Sequence, residues 1–78
     1  MASPDAVGAL VREHARLEEE DRVLGRAMDI LAEHRGETSK GSYYDAVGEL
    51  NEARMAVRRR ALEVLMRLDI AEEVRRWP

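Results

Sequence analysis

Residues 7–31 read VGALVREHARLEEEDRVLGRAMDIL, with Leu10, Leu17, Leu24 and Leu31 each seven places apart. Val7, His14, Asp21 and Met28 fall between them. The stretch is therefore a heptad with leucine at d and mixed residues at a. Seven residues nearly complete two helical turns, so the leucines line up as one stripe that another helix must cover. The pattern specifies assembly and carries no chemistry of its own.

Outward from that seam, helix signals extend in both directions. Ser3 is placed to cap the N-terminus, Pro4 to occupy the first helical position, and Asp5 to meet the positive end of the dipole. The helix is expected to run over about 4–35, ending at Gly36 in a left-handed C-terminal cap with His34 and Arg35 in its last turn. Residues 36–41 read as a polar loop. Ser42 with Asp45 three places on resembles a capping box, which opens a second helix over about 43–76 that stops at Pro78.

The second helix has its own stripe in Val47, Leu50, Val57, Ala61, Val64, Leu68 and Ala71, interrupted by Arg54. Leu62, Leu65, Met66 and Ile70 widen its apolar surface well beyond a narrow seam. Two helices of similar length joined by a short loop make an antiparallel hairpin. A loop centred near Ser39 sets Leu10 opposite Leu68, Leu17 opposite Ala61, Met28 opposite Leu50 and Leu31 opposite Val47. That register brings the acidic run 18–21 beside the basic run 58–60, places Asp21 within a turn of Arg54, and sets His34 level with Tyr44. Gly25 falls near Ala53, where a close helix approach would justify its cost inside a helix.

Composition narrows the function classes. The chain has 78 residues, enough for one small domain, and 37% are charged while aromatics are limited to Tyr43, Tyr44 and Trp77. A net charge of −3 argues against a dedicated binder of nucleic acid or anionic membrane. There is no cysteine to form a disulfide or thiolate metal site. The first residues lack the pattern of a secretory signal and no apolar run approaches a membrane span, so a cytoplasmic location is the default expectation.

Three groups of side chains are candidates for chemistry. His14 and His34 are the only histidines, each following a glutamate, and along one helix they lie roughly 30 Å apart. A metal site would therefore have to join His14 of one chain to His34 of another, with Glu18 one turn after His14. The segment His14-Ala15-Arg16-Leu17-Glu18 resembles a fragment of the hemerythrin-type cation-binding domains. Those domains use several further histidines, which this chain lacks. The Glu-x-x-His motif of carboxylate-bridged metal bundles is also missing, because Val11 and Leu31 stand three places before the histidines. Packed or solvent-edge histidines are the simpler reading, and no cofactor is expected.

Arg58, Arg59 and Arg60, with Arg54 and Arg67 nearby, are the candidates for contacts to nucleic acid. Successive helical residues point in different directions, so this run does not form one basic face. The acidic run opposite can neutralise it within the hairpin. Residues 13–27 also resemble the leucine zipper in the small subunit of some insertion-element transposases, carried by Ala15-Arg16-Leu17, Val23-Leu24 and Ala27. The helix-turn-helix that precedes such a zipper has no counterpart in the twelve residues upstream. The resemblance thus implies oligomerisation rather than DNA binding.

Tyr43, Tyr44 and Trp77 suit the closing of the two bundle ends. No nucleophile–base pair, glycine-rich phosphate loop or converging carboxylate pair is present, so no enzymatic activity is expected. The expectation is an all-α, two-helix antiparallel hairpin that dimerises into a four-helix bundle and serves as an oligomerisation or adaptor module. Leu10, Leu17, Leu24, Leu31, Val57, Val64 and Leu68 would carry the packing.

Overall fold

A computed structural model describes residues 4–76. Helix α1 spans Pro4–Glu33, a single 3-10 turn follows at Arg35–Glu37, and helix α2 spans Lys40–Arg76. No strand occurs among the described residues. The two helices fold back on each other as a hairpin, a narrow rod of 61 × 14 × 13 Å. Its length matches the longer helix: 37 residues at about 1.5 Å each span about 55 Å.

The leucine seam of α1 faces the Val57–Val64–Leu68 stripe of α2. Leu17, Val64 and Ala71 are buried, with Val64 wholly inaccessible. Leu10, Leu24, Leu31, Val57 and Leu68 are half-buried beside them. All seven of the packing residues named from sequence are thus buried or half-buried in the single chain. Leu17 and Ala61 border the same groove, as do Leu31 and Leu50, in keeping with a loop centred near Ser39.

The loop itself departs from expectation. Gly36 does not adopt a left-handed conformation, since no residue among those described has a positive φ. α1 instead tightens at its end: the His34 amide is shared between the carbonyls of Ile30 and Leu31, both at 3.2 Å, and Glu37 N–H then bonds the His34 carbonyl at 3.0 Å. A tightening of this kind satisfies the terminal carbonyls without a glycine cap. α2 begins at Lys40 because Ser39, not Ser42, is its cap. The Ser39 hydroxyl accepts the Ser42 amide at 3.2 Å, and Tyr43 N–H closes the first turn on the Ser39 carbonyl at 2.9 Å. The proposed Ser3 cap, Trp77 and the Pro78 stop lie outside the described residues.

At the loop end, Tyr43 and Tyr44 meet edge to face with ring centroids 5.5 Å apart. The Arg35 guanidinium sits 5.3 Å over the Tyr43 ring. His34 turns to Glu37, with Nδ1 2.8 Å from the carboxylate.

Candidate interaction faces

The polar interruptions of the two stripes meet. Arg54 Nε donates to Asp21 Oδ1 at 2.8 Å, and Arg58 Nε donates to the same oxygen at 3.0 Å. The Arg54 hydrogen bond holds the Asp21 carboxyl below its usual value. Partial desolvation opposes it, and Arg58 reinforces it. Farther from the loop, Arg60 Nε donates to Glu13 at 2.9 Å while its Nη1 donates to Glu63 at 3.1 Å. Two cross-helix clusters, centred on Asp21 and Glu13 about two turns apart on α1, thus pin the register against sliding. A shifted hairpin would leave half-buried charges unpaired.

Gly25 belongs to the first cluster. A Cβ built there would lie 2.9 Å from Nη2, 3.1 Å from Cζ and 3.2 Å from Nη1 of Arg54. Its missing side chain is the space through which Arg54 reaches Asp21, one turn earlier on α1. Position 25 therefore matters for volume rather than for backbone conformation, since a methyl group there would have to displace the Arg54 guanidinium.

The candidate arginines are divided among different tasks. Arg54, Arg58 and Arg60 are engaged with carboxylates across the hairpin. Arg59 and Arg67 are exposed and make no ion pair among the described residues. The acidic run is divided likewise: Glu18 is 3.7 Å from His14, Glu19 pairs with Arg22 at 2.8 Å, and only Asp21 reaches α2. The two histidines sit at different levels of the rod, each beside one carboxylate. Among the described residues no group of three or more His, Asp or Glu side chains converges as a metal site. Among the described residues no helix is long and apolar enough to cross a membrane.

Several apolar surfaces among the described residues stay outside the hairpin contact, among them a patch on α1 at Val23 and Leu24 and two that involve α2. One is an open groove of about 550 Å³ near the loop, formed by Ala27, Ile30 and Leu31 of α1 with Ala46 and Leu50 of α2, and edged by His34 and Glu49. The other is a stripe on the far side of α2. Met55, Leu62, Met66 and Ile70 are 54–62% exposed, with Leu65 and Val74 at its edges. At about 100° of rotation per residue, Met55, Leu62 and Met66 point almost directly away from Val57, Val64 and Ala71. α2 is thus apolar on two opposite faces, and only one of them has a partner in the chain. Met55 and Val74 extend this stripe beyond the residues noted from sequence, and the seven-residue step from Met55 to Leu62 is the signal that marks it.

The surface area carries the same message. A compact monomer of 8.9 kDa exposes about 4,800 Å². This chain exposes 6231 Å². The excess reflects the rod shape and the uncovered apolar residues on it. Comparison with protein-family models, curated proteins and solved structures gives no match for the chain.

Proposed function

We propose that this protein is a non-catalytic oligomerisation or adaptor module, acting through helix–helix contacts and self-associating as a homodimer that pools four helices. The observation that carries the reading is the second apolar face of α2, in which Met55, Leu62, Met66 and Ile70 are each more than half exposed. Soluble monomers rarely leave so many large apolar side chains uncovered on one helix face. Specific dimers typically bury about 800 Å² on each partner, which is less than the surface this rod carries beyond a compact chain of its mass. The cross-helix ion pairs of Arg54, Arg58 and Arg60 also fit a scaffold, because they commit charge to fixing the register.

Light scattering over a concentration series tests the proposal. The expected mass is twice 8.9 kDa at high concentration, falling toward one chain on dilution. Leu62→Arg should shift the equilibrium toward monomer while leaving the helical signal in place, because Leu62 lies outside the hairpin core. Leu17→Arg would be a poorer probe, since Leu17 is buried against α2 and its loss would unfold the hairpin itself. A monomeric mass throughout the series would refute self-association.

A further inference from the structure

Resting on the self-association reading, we infer its face, direction and register: two copies pair through the outer stripe of α2, antiparallel, about a two-fold axis level with Val64. The stripe is a seam in its own right. Met55, Arg59, Leu62, Met66, Asp69 and Glu73 follow one another at alternating steps of four and three residues, the spacing of a helix–helix interface. All six are exposed.

The order of residues along this seam selects the direction. Leu62 and Met66 form its apolar centre. Arg59 stands three places before Leu62, and Asp69 three places after Met66. Neither makes an ion pair among the described residues, although charges on the hairpin-facing side are paired. Reversing the helix about Val64 lays Leu62 on Met66 of the second copy and Arg59 on its Asp69. The two-fold repeats both contacts. Arg58, already bonded to Asp21 through Nε, and Glu72 lie on one flank of the seam and come within a turn of each other under the same operation.

A parallel arrangement in register does the reverse. It sets Arg59 against Arg59 and Asp69 against Asp69, like charges beside a partly desolvated centre. The four central positions of the seam are therefore complementary to an inverted copy, with Met55 and Glu73 meeting at its two ends, and that match identifies the occupant as a second copy of this chain. Because α1 covers the opposite face of α2, the four helices would lie in the order α1, α2, α2, α1. This is an open layer with the two α2 helices inside, not a closed square bundle. The groove near the loop offers no comparable charge pattern.

Charge exchange in the full-length chain tests the inference. Arg59→Glu alone and Asp69→Arg alone each create two like-charge contacts, and each should weaken self-association by about tenfold or more. An equimolar mixture of the two variants should regain the dimer mass. In the mixed dimer the glutamate introduced in one chain meets the arginine introduced in the other, and the native Arg59–Asp69 pair remains on the opposite side. Restoration on mixing is a gain of association, which misfolding cannot imitate. Direction is read separately. The chain has no cysteine, so a spin label at Glu52→Cys, which is exposed and beside the seam, reports one distance. The antiparallel register predicts a separation of about 36 Å along the axis, and a parallel pair less than about 20 Å.

Dimers that ignore both charge reversals, or that bring the labels close together, overturn the face or direction while leaving self-association standing. A wild-type chain that stays monomeric overturns both. Loss in the single variants, recovery on mixing and the long label distance together establish the inference.

Discussion

Three helix-interior glycines provide a test in which identical chemistry should give different results. Replacing a glycine by alanine within a helix stabilises by about 1 kcal/mol when nothing obstructs the new methyl group. At Gly48 a Cβ meets nothing within 4 Å, so Gly48→Ala should give the full effect. For a domain of this size that is a rise in Tm of about 4–8 °C. At Gly8 the nearest atom is the tip of Arg12 at 3.3 Å, a flexible end that can swing into solvent, and most of the gain should survive. At Gly25 the Cβ lies 2.9–3.2 Å from three atoms of the Arg54 guanidinium. Displacing that group strains its 2.8 Å Nε bond to Asp21, so Gly25→Ala should gain less than half of the Gly48→Ala rise. Thermal melts of the three variants, at a protein concentration low enough to hold the oligomeric state constant, provide the comparison. The double variant Gly25→Ala with Arg54→Ala supplies the control, because without the guanidinium the methyl group at position 25 should recover its benefit. Equal rises for Gly25→Ala and Gly48→Ala would refute the claim that position 25 is kept empty for Arg54.

Other consequences follow from the same packing. Val64→Ala trims the side chain that is wholly inaccessible and should cost about 2 kcal/mol, whereas Leu62→Ala should be nearly neutral in a dilute monomer; urea titrations distinguish the two. Ser39→Ala should cost about 1 kcal/mol through loss of the α2 cap, and Ser42→Ala much less, measured by thermal melts. The depressed Asp21 carboxyl stabilises the fold most fully when it is ionised in both states, above its ordinary value of 3.8. That contribution disappears as pH falls through the lower folded-state value. The wild type should therefore lose stability below about pH 4 more steeply than Asp21→Asn in acid titrations followed by circular dichroism.

How much of this was legible in the sequence depended on whether the signal was periodic. The leucine seam from Leu10 to Leu31 and its counterpart in α2 repeat often enough to declare two helices and the face each turns inward. The Asp21–Arg54 approach was legible as well, because each residue breaks an otherwise apolar stripe and a buried break needs a partner. The loop was not. Ser39 and Ser42 are equally good caps by residue type, and which hydroxyl receives an amide depends on how the preceding turn closes. Gly36 has the residue type of a left-handed stop, yet a 3-10 turn satisfies the end of α1 first. Gly25 escapes a sequence reading for a different reason: an empty volume has no signature until the side chain that fills it is placed from the other helix.

The two faces of α2 bring out the distinction between folding and assembly in this chain. The inward face is apolar except where Arg54 and Arg60 find carboxylates on α1, so its charged groups are committed within the hairpin. The outward seam alternates apolar and charged residues, and Arg59 and Asp69 there remain uncommitted. A continuous apolar outer face would bind almost any hydrophobic surface and invite aggregation. Charges set at equal distances on either side of Leu62 and Met66 reject most such surfaces while accepting an inverted copy. Specificity of this kind costs some interface hydrophobicity, so the outer seam should hold less tightly than the inner one. The sequence of events on heating or dilution follows: chains should separate before hairpins melt, so the mass should fall to that of one chain while the helical signal is still largely intact. Simultaneous loss of both signals at every concentration would mean that the hairpin has no stability without its partner, and that folding and assembly are one transition.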